Sequence, residues 1–191
     1  MFDPTVQTVI DRVDALREQV DDHWQIPRDE ALILAQLVRL GRCISLCEVG
    51  HSYGFSTLHL AAAAKANGGH VNAFDLSRKK HDAAKQHIEE AGLSDVVTFH
   101  LGDARELLRS VRPAKPYDFI FVDAVKEQSS EYLDAVLDHL AARVVITVDN
   151  TRTHGEKLSG FVERIRAMEG VTGCDVPVGN GFEFAIRHGG G

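Results

Sequence analysis

Two apolar stretches of the chain end in residues that ligate hard cations. Phe119-Ile120-Phe121-Val122 runs into Asp123, with Lys126 three residues further on, and Val144-Val145-Ile146-Thr147-Val148 runs into Asp149-Asn150. Such continuous apolar runs read as strands buried on both faces, the habit of parallel sheets. The carboxyl ends of parallel strands form the ligand-binding rim of an open α/β sheet, so Asp123, Asp149 and Asn150 are expected to converge from neighbouring strands. Two carboxylates and an amide oxygen suit Mg2+ or a similar divalent cation, with water and substrate oxygens completing its shell.

The elements that must position these residues alternate regularly. A helix is expected over residues 4–20, with Val6, Val9, Ile10, Val13, Leu16 and Val20 on one face, and a second over 28–40 after Pro27. Strands follow at 44–49, 70–74, 96–101, 117–122, 144–148, 171–178 and 182–187. Helices are expected between them at about 56–66, 78–91, 104–111, 130–140 and 158–168. Gly92 closes one of those helices, and Gly179-Asn180-Gly181 joins the last two strands as a hairpin. The pattern is that of an α/β protein with βαβ units. With 191 residues, 44% of them hydrophobic, one domain over 1–191 is expected, a helical cap at 1–41 over a core at 42–188. His188-Gly189-Gly190-Gly191 reads as a frayed tail.

Composition narrows the function classes. A formal net charge of -7 argues against broad binding to nucleic acid or anionic membrane. No apolar run approaches a membrane span and the amino end lacks a basic region followed by an apolar core, so a cytoplasmic location is expected. Cys43, Cys47 and Cys174 cannot all pair and read as reduced packing residues.

The first strand-to-helix turn, Glu48-Val49-Gly50-His51-Ser52-Tyr53-Gly54-Phe55-Ser56-Thr57, offers a second kind of chemistry. Gly50 and Gly54 allow the backbone close to a ligand, and Ser56 is placed to cap the helix. The spacing is not the GxGxxG that seats a pyrophosphate, and Glu48 would repel phosphate, which disfavours a nicotinamide dehydrogenase. Asp75, just past the second strand, stands where an acid takes both ribose hydroxyls of a nucleoside. Acid at both places favours a nucleoside with a cationic centre, and S-adenosylmethionine, with its amino group and sulfonium, is such a molecule.

These residues carry a family resemblance. The turn at 48–57 resembles the first motif of the cation-dependent class I O-methyltransferases, the catechol and caffeoyl-CoA type. Val122-Asp123-Ala124-Val125-Lys126 resembles the family's Val-Asp-Ala-x-Lys segment, Asp149-Asn150 its second metal motif, and Pro177-Val178-Gly179-Asn180-Gly181-Phe182 its Pro-x-Gly-Asp-Gly-Leu hairpin. Trp24-Gln25-Ile26-Pro27 resembles the segment that lies over the cofactor, on the substrate side. The resemblance implies a Rossmann-like, seven-stranded, mostly parallel sheet with an antiparallel last strand and helices on both faces. It also implies Asp123, Asp149 and Asn150 as metal ligands and Lys126 as general base. Glu48, Gly50, Ser52 and Ser56 would hold the methionine end of the cofactor, Asp75 the ribose, and Ala104 with Arg105 the adenine edge, while Asp123 borders cofactor and metal alike. Glu183 matches an acid that positions the second hydroxyl in catechol-type enzymes, though a solvated strand residue is an equal alternative.

The chemistry implied is methylation of a small hydroxylated acceptor. Chelation of two neighbouring oxygens by a divalent cation favours the ionised hydroxyl and selects vicinal oxygens, while Lys126 beside it accepts the proton. The chain departs from the family at several points. Ser129 stands where Tyr is common, with Tyr132 keeping a second aromatic position; Ala141-Ala142-Arg143 replaces a Gly-Gly turn, so the following strand is expected to begin differently. His51 replaces a small polar residue and is expected to face the surface, and His23, His59, His81 and His87 are expected to be solvated. Arg152 or His154 is placed to meet an acidic substrate. Two alternatives keep the fold: methylation of a hydroxylated uridine in tRNA, which the acidic balance disfavours, and a non-catalytic cofactor-binding protein. Monomer and homodimer both stay open.

Overall fold

The computed structural model describes residues 2–189; Met1 and the last two glycines of the expected frayed tail lie outside the described residues. Helices α1 (Pro4–Ala15) and α2 (Arg28–Gly41) precede strand β1 (Ser45–Val49), and the chain then alternates through α3 (Phe55–Ala66), β2 (His70–Asp75), α4 (Arg78–Glu90), β3 (Val97–Leu101), α5 (Ala104–Ser110), β4 (Tyr117–Val122), α6 (Ser129–Val136), β5 (Leu140–Asp149) and α7 (Gly155–Arg166). A hairpin of β6 (Val171–Val176) and β7 (Phe182–Arg187) closes it. The seven strands lie in the order β3-β2-β1-β4-β5-β7-β6. β7 runs antiparallel to both β5 and β6, and the pairings among β1 to β5 are parallel. The strand order reverses between β1 and β4, the switch point at whose carboxyl ends open α/β sheets bind ligands.

Alternation along β4 shows how the sheet is covered. Phe119 and Phe121 pack with Ile10, Leu34, Val38 and Leu58 of α1, α2 and α3. Ile120 and Val122 pack on the other face with Tyr132, Leu133 and Phe161 of α6 and α7. Burying both faces leaves strand ends as the places where polar side chains reach a cleft.

Of the differences from the sequence expectation, three have a plain physical cause. β5 starts at Leu140 instead of 144, because Tyr117 already pairs with Leu140 and a register irregularity between Tyr117 and Phe119 absorbs the extra residues; with no glycine pair, Ala141-Ala142-Arg143 stays extended. β6 ends at Val176, since Pro177 has no N–H for the ladder and Val178 donates back to the Val176 carbonyl at 2.9 Å. The α-helical part of the first segment stops at Ala15 and tightens into a single 3-10 turn, Leu16–Glu18.

The histidines are a larger correction. His23, His51, His59 and His81 are buried rather than solvated. The His51 ring meets Phe99 edge-on, with centroids 5.0 Å apart, and His59 meets Phe55 at 4.8 Å, so each serves as an aromatic packing unit. Burial is the largest influence on all of them and lowers their proton affinity, that of His59 to about 4.

Candidate active site

The ends of β1 and β4 are tied together past their last paired residues. The Asp123 N–H donates to the Val49 carbonyl at 2.8 Å, which continues the parallel ladder and fixes Asp123 on the rim. Lys126 opens a 3-10 turn, Lys126–Gln128, which returns its side chain so that Nζ lies 2.6 Å from Asp123 Oδ1. Asp149 ends β5 and is only 1% exposed. Its Oδ1 has no hydrogen-bond partner among the described residues, and its Oδ2 accepts from Asn180 Nδ2 at 3.4 Å. Asn150 takes a left-handed backbone, φ +70°, one of the few side chains that does so cheaply, and thereby turns the chain away from β5.

A residue overlooked in the sequence joins this group. Glu30, on α2, is fully buried, and its carboxyl lies beside that of Asp149. Burial, followed by the closeness of the Asp149 carboxyl, holds Glu30 far above the ordinary carboxyl range. Burial and then the charge of Asp123 raise Asp149 as well. The signal for Glu30 was in the spacing: it precedes Leu34 and Val38 at intervals of four, an acid in the apolar stripe of a helix.

The turn after β1 is held just as closely. Glu48 is fully buried and accepts hydrogen bonds from Ser56 Oγ at 2.5 Å and Thr57 Oγ1 at 2.6 Å. Burial pushes its carboxyl up to about 7, against the lowering effect of those two hydroxyls. Ser56 therefore serves Glu48 and is not the helix cap; Gly54, at φ +88°, is the cap residue. Gly50 has φ +90°, and a Cβ there would stand 2.0 Å from the Asp123 carbonyl oxygen. Asp75 organises the turn from the next strand: its Oδ2 accepts from the Ser52 N–H at 2.9 Å and its Oδ1 from the Ser77 N–H at 2.8 Å. Ser52 Oγ is buried with no partner among the described residues.

The other expected site residues are held by partners of their own. Ala104 begins α5, and Arg105 is clasped by Asp103, with Nη2 2.6 Å from Oδ2, and by Glu131. Trp24 is 75% exposed, with Lys80 Nζ 4.7 Å from its ring centre. Glu183 is not a solvated strand residue. It is fully buried opposite Val148, and its two oxygens accept from Arg166 at 2.7 and 2.6 Å. Strand alternation explains this: Phe182, opposite Asp149, packs with the α2 face, so Glu183 points to the α7 face. Tyr132 is buried as well and donates to Gln128, while Arg152 leans on Asp175.

Among the described residues no three His, Cys, Asp or Glu side chains stand arranged to hold a metal ion. The rim offers two carboxylates of the expected ligand set, and one of them is paired with Lys126. Three features still fit a cation: an orphaned buried oxygen on Asp149, another on Glu30, and the proximity of like-charged Asp123.

The model of a family described as O-methyltransferase matches residues 9–185 of the chain. The chain belongs to the O-methyltransferase family. A caffeoyl-CoA O-methyltransferase of Arabidopsis thaliana is 32% identical over 198 residues, covering 90% of this chain and 76% of the relative. Among solved structures, an O-methyltransferase from Bacillus cereus in complex with SAH is similar with a TM-score of 0.84 and 26% identity, covering 97% of this chain and 91% of that one. The O-methyltransferase TomG from Streptomyces achromogenes, in complex with SAM, gives a TM-score of 0.84 at 25% identity, covering 99% and 92%. As an O-methyltransferase, the chain must bring a methyl donor and a hydroxyl together, and the contact between Gly50 and Asp123 joins the turn after β1 to the acidic rim.

Proposed function

We propose that this O-methyltransferase moves the methyl group of S-adenosylmethionine to one of two vicinal hydroxyls on a small acceptor, with a divalent cation held by Asp123, Asp149 and Asn150. The observation that carries the reading is the pairing of Lys126 Nζ with Asp123 Oδ1 at 2.6 Å, beside an Asp149 oxygen left without a partner. A general base and a chelating carboxylate are thus held in one place.

Each group has a definite task. Glu48, Ser52 and Ser56 line the donor turn, where a carboxylate at Glu48 offsets the positive amino end of the donor. Asp75 Oδ1 and Oδ2 each accept one backbone N–H and keep lone pairs free for the ribose hydroxyls. Ala104 and Arg105 border the adenine. Asp123 and Asp149 would hold the cation, which when bound would supply Lewis acidity that favours the ionised hydroxyl. Lys126 Nζ, as the free amine, takes the hydroxyl proton. Glu183 is reserved for Arg166, so discrimination between the two hydroxyls falls to the rim and to the exposed Trp24.

A methyl-transfer screen tests this. Catechols should be methylated with Mg2+ present, and analogues with a single hydroxyl should react far more slowly. Equal rates on both would rule out chelation of vicinal oxygens.

A further inference from the structure

We propose that His51 is a positioning residue for the methyl donor: its ring holds the Ser52 carbonyl and so keeps Ser52 locked in the turn that receives the donor's methionine end. The inference rests on the reading of the turn after β1 as the S-adenosylmethionine site. Ser52 has φ +46°, a left-handed backbone that a serine adopts only at a cost. Something must hold it there, and both of its backbone polar groups are held by side chains. The Ser52 N–H donates to Asp75 Oδ2 at 2.9 Å, and His51 Nδ1 donates to the Ser52 carbonyl at 2.8 Å. A carbonyl only accepts, so this contact fixes the proton of the neutral imidazole on Nδ1. Burial lowers the ring's proton affinity and favours that neutral form.

The ring has no other polar duty. Its Nε2 is buried with no partner among the described residues, and Phe99 and His81 brace it, with ring centroids 5.0 and 5.7 Å away. The turn itself closes without the imidazole, since the Gly54 N–H donates to the His51 backbone carbonyl at 2.8 Å. What the imidazole adds is the orientation of one residue, Ser52, whose hydroxyl is buried and without a partner among the described residues. A hydroxyl can donate to the carboxylate of the donor's methionine end or accept from its amino group, and either contact would satisfy the orphaned atom. Asp75 is fixed independently, because its Oδ1 accepts the Ser77 N–H at 2.8 Å, so the ribose end of the site does not depend on His51.

Two probes separate positioning from packing: S-adenosylmethionine, and methylthioadenosine, which keeps the nucleoside and lacks the amino-acid end. His51→Phe retains a ring against Phe99 and removes the N–H. Calorimetry should show this variant binding S-adenosylmethionine roughly 3- to 10-fold more weakly, the worth of one hydrogen bond, and methylthioadenosine as tightly as the parent does. His51→Asn, whose amide N–H can stand in for that of Nδ1, should recover the parent's affinity. Equal loss of both probes in His51→Phe would make His51 a packing residue and overturn the inference. Unchanged S-adenosylmethionine affinity in His51→Phe, or no recovery in His51→Asn, would overturn it as well. A parent protein that does not bind S-adenosylmethionine would instead sink the donor reading, and the proposal with it. Should His51→Phe not fold, nitrogen NMR of the parent's histidine rings decides: the His51 proton must sit on Nδ1, and a proton on Nε2 overturns the inference.

Discussion

Gly50 and Asp123 meet through their backbones: a Cβ at position 50 would stand 2.0 Å from the carbonyl oxygen of Asp123. This contact lies at the switch point between β1 and β4, so the donor turn and the acidic rim share one rigid joint. Gly50→Ala adds a methyl where neither the space nor the φ of +90° accepts it. Its cost should be about 2–4 kcal/mol, the size of a backbone strain combined with overpacking, and urea denaturation should show the lowered midpoint.

Lys126 is expected to act in two opposing ways. Lys126→Met should lower turnover roughly 100- to 10,000-fold with little change in acceptor affinity, the pattern for loss of a general base. Lys126→Arg should rescue little, because a guanidinium does not give up its proton at working pH. The ammonium 2.6 Å from Asp123 Oδ1 also competes with a cation, so Lys126→Met should bind Mn2+ more tightly than the parent. Near-normal turnover in Lys126→Met would make the lysine structural.

Donor binding should be separable from the cation and sensitive to pH. None of Glu48, Ser52 or Asp75 is assigned to the metal, so calorimetry in chelator should show S-adenosylmethionine binding intact in the parent and weakened in Asp75→Ala. Burial holds Glu48 up to about 7, so its ionised form, the partner of a cationic donor, grows in as pH rises toward that value. Donor affinity should rise with pH over the same range, and Glu48→Gln should flatten the rise.

Buried histidines should give the stability curve an acid limb. The ordinary value of His59 is 6.5 and in the fold it drops to about 4, so the unfolded chain takes up the proton first as pH falls. The stabilisation is complete above 6.5 and is lost as pH falls through 4, a change of roughly 3 kcal/mol for this group. His23, His51 and His81 are lowered in the same direction and steepen the limb. In His59→Leu the slope of stability against pH between 6.5 and 4 should be shallower, whatever the change at neutral pH.

The strands, their order of appearance and the rim positions of Asp123 and Asp149 were legible because runs such as Phe119 to Val122 must be buried and must end somewhere polar. What the sequence hid depends on tertiary partners. Nothing local distinguishes a histidine packed edge-on against Phe55 or Phe99 from one in solvent. Glu183 was undecided between acceptor and solvent because its partner, Arg166, lies on another element, and only the β5–β7 register turns it toward α7. Glu30 broke the apolar pattern of its helix visibly, but only the fold brings it beside Asp149.

Removal and return of the cation tests the proposed chemistry most directly. With S-adenosylmethionine and a catechol, methyl transfer should fall to background when divalent metal is chelated and recover when Mg2+ is added in excess. Transfer at the full rate in chelator would contradict a mechanism in which Asp123, Asp149 and Asn150 hold a cation, and would leave only the O-methyltransferase family standing.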